Sequence, residues 1–484
     1  MLDFDRGAQH SEPTMQPSLQ PTLRLENRCG LTWDQTKLPF AWHPLRLANA
    51  HACVHAIAAM QVRGAPLIGA VAALGMAFAL EEACARAPDT LVSAALLNAC
   101  AAPLLAARPT AVNLAWAVAR VRRAVEASLG PGTRSPEHTA RAIDSAWAEV
   151  EWILEADIRV NQAIGRYGVE VLLQAQRPNA PRGRALQILT HCNAGSLATV
   201  AWGTATAPIY MLHARGLAVH VWVDETRPRN QGASLTACEL AAAGIPHTVI
   251  ADNAGGLLMM RGEVDAVIVG CDRVCANGDV INKVGTYLKA LAAHAHSIPF
   301  WVACPSSSID RDTPHGLAVE IEERSGRELT HVRGLPDWSQ PMAQPFATAR
   351  PAALPAAPTL SSGMALSVTA AKSIQPLEPI QPLEQIQPLE PIQPNGPIQP
   401  NEPIQPIEPI QPNGPIQPVE PNRPTQPTEP TEPVELRIMR EGQRTHNPGF
   451  DNTPARWVSG LITEFGVYPA HQALAVLDAA ARAR

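Results

Sequence analysis

The segment from residue 185 to residue 305 alternates short apolar runs with helical runs, and this alternation restricts the fold more than any other feature of the chain. Five runs have the length and composition of buried strands: ALQILTHC, AVHVWVDET, HTVIADN, DAVIVGCD and PFWVACP. Helical segments separate them, and Gly, Asp and Asn mark the turns. Such alternation predicts a parallel sheet flanked by helices, the Rossmann-like α/β class.

Composition divides the rest of the 484-residue chain. Residues 23–176 are rich in Ala and Leu at helical spacing, which predicts a mainly helical N-terminal domain. The Rossmann-like catalytic domain is expected over residues 177–335, and residues 435–484 are expected to complete it. Residues 1–22 lack the apolar core of a signal peptide, and we expect them to form a disordered leader.

Residues 336–434 form a Pro-rich, low-complexity insertion. Within it the motif IQP recurs every six residues, eight times, from Ile374 to Ile416. Proline at about every third position removes backbone donors that a β-helix needs, so we expect disordered or polyproline II-like chain. The PxxP spacing could also provide an SH3-type ligand. A tolerated repeat in a surface loop is the favoured interpretation.

Thr453 and Pro454 follow the insertion and resemble the N-cap and first residue of a helix. The sequence after them predicts an amphipathic helix that ends near Phe465. This helix would belong to the segment that completes the catalytic domain.

Charge and cysteine content limit the class of partner. The net charge is −6, which provides no basic surface for nucleic acid or acidic membranes, so a small-molecule partner is favoured. Nine cysteines are scattered without regular spacing, which argues against a disulfide framework. The most apolar stretch, residues 65–80, is interrupted by glycine and shorter than a bilayer span. We therefore expect a cytoplasmic protein.

Metal and nucleotide motifs are not evident. Cys271 and Cys275 are too far apart for a CxxC pair, and no second ligand cluster accompanies them. The chain has no GxGxxG or Walker motif. We expect neither a metal nor an organic cofactor.

Cys192 and Asp272 come directly after two of the strand-like runs. Ligands of parallel sheets bind at the carboxyl ends of the strands, so the two side chains can face one bound molecule. A buried Asp272 could have a raised pKa and exchange protons with a sugar hydroxyl, although an ion pair with Arg273 is the plainer interpretation. Cys192 could be reactive near a helix start, or only a packing residue. His191 should point to the opposite face, which disfavours a Cys–His nucleophile.

Further polar groups occupy positions suited to phosphate. Arg63 and Gly64 precede Pro66, which fits the first position of a helix, and free N–H groups at a helix start bind anions. Asn282 and Lys283 offer an amide and a cation for phosphate oxygens. A polar run after the second strand suggests a ligand rim at Asp224, Glu225, Arg227 and Gln231. An ordinary capped helix and a solvated loop remain open for these segments.

Six motifs, in this order, resemble the methylthioribose-1-phosphate isomerase family: MQVRGAPLIGAVAALG, ILTHCNAGSLAT, VDETRPRNQGASLTACEL, ADNAGGLLM, VIVGCDRVCANGDVINKVGTY and HNPGFDNTP. The resemblance covers about residues 23–324 and 435–466. The wider group includes ribose-1,5-bisphosphate isomerases and regulatory subunits of the translation initiation nucleotide exchanger. Three positions depart from the pattern: Cys271 and Cys275, where small residues are more common, and Ser234, where Arg is common.

The resemblance implies an aldose–ketose isomerase that converts 5-methylthioribose 1-phosphate to 5-methylthioribulose 1-phosphate in methionine salvage. It implies that Cys192 is the catalytic cysteine and Asp272 the proton-transferring acid. Substrate contacts are implied for Arg63, Gly64, Ala65, Arg108, Gln231, Asn282 and Lys283. It also implies a homodimer. Whether Cys192 moves a carbon-bound proton or assists a hydride shift stays open, and a bisphosphate isomerase or a non-catalytic regulatory subunit are the alternatives.

Overall fold

The computed structural model describes six stretches of the chain: residues 21–87, 92–108, 111–129, 136–175, 183–335 and 433–482. The expected leader and the expected Pro-rich insertion lie outside these residues, except for the last two residues of each. The expectation that both are disordered therefore stays a prediction, as do the domain boundaries.

The N-terminal part is mainly helical, as its Ala- and Leu-rich periodicity predicts. Its five helices are α1 (Ala50–Ala58), α2 (Ala65–Arg86), α3 (Ala94–Ala107), α4 (Val112–Leu129) and α5 (Pro136–Gln174). A three-stranded antiparallel sheet precedes them and was not predicted: β1 (Arg24–Glu26), β2 (Cys29–Trp33) and β3 (Pro44–Leu47).

Helix α2 is the centre of this part. It is 22 residues long, which is enough to span a bilayer, so the expectation that the apolar stretch is too short for this is wrong. Its most apolar window is 78% buried within the protein, which is the environment of a core helix. Helix α4 packs closely against α2 at Gly69. A Cβ at this position would lie 2.9 Å from the Asn113 carbonyl oxygen, so glycine permits the close contact.

The second part contains the predicted α/β alternation. Its elements begin with β4 (Leu186–Thr190), α6 (Ala207–Ala214), β5 (Val219–Asp224), α7 (Ala237–Ala242), β6 (His247–Ile250), α8 (Ala254–Met260), β7 (Ala266–Val269), β8 (Arg273–Cys275), β9 (Val280–Lys283), α9 (Thr286–Ala295) and β10 (Phe300–Ala303). They continue with β11 (Ile309–Asp310), α10 (Arg327–Thr330), β12 (His331–Gly334), β13 (Val434–Arg437), β14 (Phe450–Thr453), β15 (Gly460–Thr463), β16 (Gly466–Tyr468) and α11 (Ala473–Arg482).

The five predicted strands form one parallel sheet, which confirms the fold class. The sheet order is β16-β15-β10-β7-β4-β5-β6, and only the edge strand β16 is antiparallel to its neighbour. Strands β7 and β4 are neighbours, so the residues that follow them meet at one edge of the sheet. A second sheet has the strand order β11-β8-β9-β14, and its strands β8 and β9 follow β7 in the chain.

The predicted helix between Thr453 and Phe465 is wrong. Thr453 ends β14, a short 3-10 turn follows, and Gly460–Thr463 is the fully buried strand β15, which pairs in parallel with β10. A Cβ at Gly460 would lie 2.9 Å from the Trp301 ring, so glycine permits this close approach. A short apolar run that is buried on both faces shows no alternation, and periodicity cannot distinguish it from a helix.

Strands β12 and β13 bring the two ends of the insertion together. They form an antiparallel ribbon in which Gly334 pairs with Val434. We expect that deleting residues 351–430 and joining the ends with a short flexible linker leaves turnover and melting temperature nearly unchanged, because loop length alters closure entropy only slowly. Thermal melts and steady-state assays of both chains check this. A large loss of activity in the shortened chain would show that the repeat has a role beyond a loop.

Candidate active site

A cavity of about 460 Å³ lies at the carboxyl ends of the parallel strands. Seven of the nine residues predicted for the site line it: Arg63, Gly64, Arg108, Cys192, Gln231, Asp272 and Lys283. The other two, Ala65 and Asn282, line a cavity of about 40 Å³ that shares Arg63, Gly64, Cys192 and Asp272 with the first. The fold therefore brings all nine residues together, from both parts of the chain.

Positive charge is concentrated around the larger cavity. Its lining includes eight Arg or Lys side chains and three carboxylates, although the whole chain has a net charge of −6. The cations are Arg63, Arg108, Arg227, Arg229, Lys283, Arg324, Arg327 and Arg333, and the carboxylates are Asp272, Glu328 and Glu435. A cleft with one sign of charge attracts ligands of the opposite sign. The cavity is suited to an anionic small molecule.

Four of these arginines were not predicted from the sequence: Arg229, Arg324, Arg327 and Arg333. Arg229 lies in the polar run after β5, and the other three come from segments outside the strand ends. They contact protein acceptors. Arg324 lies 2.8 Å from Glu322 and 2.7 Å from Glu328, and Arg327 forms a bidentate pair with Glu435. Much of their charge is thus compensated locally. The segment IEER was in the sequence, but nothing in it indicated that it would reach the cavity.

Asp272 lies just beyond β7, and its backbone N–H donates to the Ile281 carbonyl at 3.0 Å. Burial raises the pKa of this carboxyl, because the charged form loses solvation, while Lys283 and Arg108 partly oppose the rise. The carboxyl is shifted toward its neutral form. It is therefore suited to donate a proton as well as to accept one.

Cys192 follows β4, the neighbour of β7, and has an uncommon backbone conformation. Its φ is +65°, in the left-handed region, which costs a non-glycine residue about 1 kcal/mol. Thr226 Oγ1 accepts from its N–H at 2.9 Å, and Thr236 Oγ1 donates to its carbonyl at 2.8 Å. Burial raises the pKa of the thiol, against the lowering effect of Arg63. The two flanking bonds compensate the strain and direct a neutral thiol into the cavity.

His191 does not serve this thiol. Its Nδ1 lies 2.8 Å from Asp224 Oδ2, and its Nε2 donates to the Val284 carbonyl at 2.9 Å. Both ring nitrogens thus have partners other than Cys192, which disfavours a Cys–His nucleophile, although His191 also lines the smaller cavity. His191 instead connects the end of β4 to Asp224 and to Val284.

One group of side chains has the composition of a metal site: His191, Asp224 and Asp252, whose ligand atoms lie within 4.8 Å of one another. The ammonium of Lys289 lies 3.0 Å from Asp224 Oδ2 and donates to the Asp252 carbonyl. A lysine therefore already supplies a cation for the Asp224 carboxylate. The group is better described as a buried ion-pair network.

The start of helix α2 forms one wall of the site. Gly64 has a φ of +90°, and a Cβ there would lie 2.5 Å from Ala198, so only glycine fits. Pro66 is the second helical residue and not the first, which corrects the predicted register by one. No side chain caps the first turn, so its N–H groups and the positive end of the helix dipole can bind an anion.

The other predicted contacts have distinct environments. Lys283 Nζ donates to the Gly449 carbonyl at 2.7 Å and lies 4.9 Å from the centre of the Phe450 ring, and burial lowers its pKa. Asn282 Nδ2 donates to Thr286 at 3.0 Å. Within the described part of the chain, the buried Oε1 of Gln231 has no hydrogen-bond partner. An unpaired buried acceptor on a cavity wall is available to a ligand hydroxyl.

The fold and the cavity define an α/β protein with a binding site for a small anion between a helical part and a parallel sheet. The chain belongs to the initiation factor 2 subunit family, whose profile matches residues 61–470. Eight relatives that are 50–53% identical to it are methylthioribose-1-phosphate isomerases. The methylthioribose-1-phosphate isomerase of Gluconobacter oxydans is 52% identical over 304 residues, which are 63% of this chain and 78% of that protein.

Solved structures agree with this assignment. The crystal structure of 5-methylthioribose 1-phosphate isomerase from Pyrococcus horikoshii is 29% identical, with a TM-score of 0.62 over 96% of this chain and 97% of that one. The delta subunit of the translation initiation factor eIF-2B from A. fulgidus is 27% identical, with a TM-score of 0.58 over 94% of this chain and 97% of that one. The family resemblance expected from the motifs is confirmed, and this protein is an isomerase.

Proposed function

We propose that the protein converts 5-methylthioribose 1-phosphate to 5-methylthioribulose 1-phosphate, an aldose–ketose isomerisation in methionine salvage. The observation that most supports this proposal is the cation-lined cavity in which Asp272 and Cys192 meet at neighbouring strand ends. The substrate is proposed from the relatives at 52% identity, which are methylthioribose-1-phosphate isomerases. The substrate phosphate would bind at Arg63, Gly64 and Ala65, with Lys283 and Arg108 nearby.

The chemistry requires an acid in this position. Phosphate on the anomeric oxygen prevents simple equilibration with an open aldehyde, so ring opening needs a proton at the ring oxygen. The raised pKa of Asp272 keeps a proton available to donate. As the bond from C1 to the ring oxygen breaks, that oxygen takes the Asp272 proton, and C1 becomes an electron-poor centre stabilised by its remaining oxygen.

Hydrogen then moves from C2 to C1, and the state of Cys192 favours one route. Burial raises the pKa of its thiol, so little thiolate is present to remove a carbon-bound proton. A hydride shift needs no carbon base: the C2 hydrogen moves with its electron pair to C1, and the C2 hydroxyl proton passes to the ionised Asp272. Cys192 would polarise the reacting carbons from within the low-dielectric cavity.

Isotope retention distinguishes the two routes. We expect substrate labelled with deuterium at C2 to give product with deuterium at C1, without exchange with ordinary water, as measured by NMR. Loss of the label to solvent would instead indicate an enolate route with Cys192 as the carbon base.

One experiment tests the substrate assignment. Purified protein is offered methylthioribose 1-phosphate and, separately, ribose 1,5-bisphosphate, and ketose formation is followed by NMR. We expect turnover of the first. The second is a weaker candidate because three of the four additional arginines at the cavity, Arg229, Arg324 and Arg327, are paired with Glu322, Glu328 or Glu435. No turnover of either would contradict the proposal and favour a binding role like that of the regulatory subunits.

We further propose a cytoplasmic homodimer: the scattered cysteines favour a reducing compartment, and the family resemblance together with the apolar, Ala-rich helical part favours a dimer. Light scattering coupled to gel filtration tests the dimer. A monomeric mass at assay concentration would contradict it.

A further inference from the structure

The loop that carries Cys192 is held from behind by a carboxylate outside the cavity. Residues 192–199 follow β4, and Glu239 of α7 packs against their rear face. Glu239 is fully buried, with no exposed surface. It lines neither of the two cavities at the site and was not among the predicted site residues.

Glu239 accepts hydrogen bonds from three residues of this loop and from Tyr210. Oε1 accepts from Asn193 Nδ2 at 2.9 Å and from the Leu197 N–H at 3.1 Å. Oε2 accepts from the Ser196 N–H at 2.6 Å and from the Tyr210 hydroxyl at 2.9 Å. Both carboxylate oxygens thus face donors, and these hydrogen bonds oppose the rise in the pKa of Glu239 that its burial causes.

The fit is close enough to require glycine in the loop. A Cβ at Gly195 would lie 2.1 Å from Glu239 Oε2. A five-residue π-helical turn, Gly232–Thr236, precedes α7 and places Thr236 beside Glu239 on the face toward the loop. Such turns are frequent at functional sites because they alter which side chains share a face.

Asn193 connects Glu239 to the cavity. Its Nδ2 donates to Glu239 and to Thr236, which leaves Oδ1 facing the other way. That Oδ1 accepts from Arg63 Nη1, and the Asn193 carbonyl accepts from Arg63 Nη2 at 2.7 Å. An amide can present either its oxygen or its nitrogen, and the carboxylate decides which one faces the guanidinium.

We propose that Glu239 is a positioning residue for the isomerisation: it orients Asn193 so that the amide oxygen holds the Arg63 guanidinium at the substrate phosphate. This inference rests on the proposed function. Because a phosphate contact is made in the ground state and in the transition state alike, loss of Glu239 should mainly raise KM.

The test compares E239Q with Y210F. In E239Q the new amide group faces a backbone donor in either orientation, at Leu197 or at Ser196, so the loop that carries Asn193 must shift and the Asn193 amide oxygen is no longer fixed against Arg63. Y210F removes one donor from the same carboxylate and leaves Asn193 bonded. We expect kcat/KM to fall about 10- to 100-fold in E239Q, mainly through KM, and less than about 3-fold in Y210F.

N193A removes the same link without altering the bonds between Glu239 and the loop backbone, and we expect a loss of similar size. Adding E239Q to R63A should cost less than about 3-fold more, because the two residues act through one contact. Thermal melts of each variant show whether folding is intact.

Three results would overturn the proposal: equal losses in E239Q and Y210F, full activity in N193A, or additive losses in the double variant with Arg63. Turnover by the wild type together with any of these overturns the positioning role alone. No turnover by the wild type overturns the proposed function and this inference together.

Discussion

Replacing Asp272 by asparagine should remove isomerase activity and leave the protein folded. Asp272 lines both cavities and has the raised pKa of a proton donor, whereas asparagine has the same shape and cannot exchange a proton. General acid–base catalysis contributes about 10²- to 10⁴-fold, so we expect kcat to fall by at least about 100-fold. Steady-state assays with methylthioribose 1-phosphate measure this loss.

The same variant should be at least as stable as the wild type at pH 7. A carboxyl whose pKa is raised by folding opposes folding once it ionises, so its stability cost grows as the pH rises from the ordinary carboxyl pKa toward the folded one. Asparagine avoids this cost. The melting-temperature gain of the variant should be present at pH 7, should shrink as the pH falls toward about 4, near the unfolded pKa of aspartate, and should be absent below it.

An exposed carboxylate provides the control. Asp478 is 65% exposed in α11 and forms only a surface pair with Arg311, so Asp478→Asn should keep wild-type activity. Surface pairs contribute little to stability. If Asp272→Asn retained more than about a tenth of the wild-type rate, a role as the essential acid would be untenable.

Replacing Cys192 by alanine should lower kcat by at least about 100-fold, because it removes from the cavity wall the thiol that we propose polarises the reacting carbons. Cys29→Ala is the matched control: Cys29 lies in β2, lines neither cavity at the site, and should keep full activity. Equal activity in the two alanine variants would refute the assignment of Cys192.

The backbone at Cys192 adds a second, independent expectation. Cys192→Gly should be as inactive as Cys192→Ala but should melt at a higher temperature, because glycine adopts a φ of +65° without strain. A lower melting temperature for the glycine variant would show that the flanking bonds to Thr226 and Thr236 do not depend on this conformation.

Some of the site was predictable from local sequence and some was not. Cys192 and Asp272 follow neighbouring parallel strands, so their meeting at one sheet edge follows from parallel topology, whereas Lys283 ends β9 of the second sheet. Arg108 was assigned by resemblance alone, because nothing in the segment around it indicates that the end of α3 faces the sheet. Glu239 was overlooked because it lies within a short helical run and acts from behind the cavity.

The sequence by itself determined the parallel α/β class, the helical part and the strand-end positions of the two reactive side chains, because each depends on periodicity over a few residues. Only the tertiary structure decided that Gly460–Thr463 is a strand, that eight cations surround one cavity, and that Glu239 holds Asn193 against Arg63. Asn193 is 46 positions from Glu239 and 130 positions from Arg63 in the chain. Local periodicity has no information about such pairs, because burial and packing between distant elements bring them together.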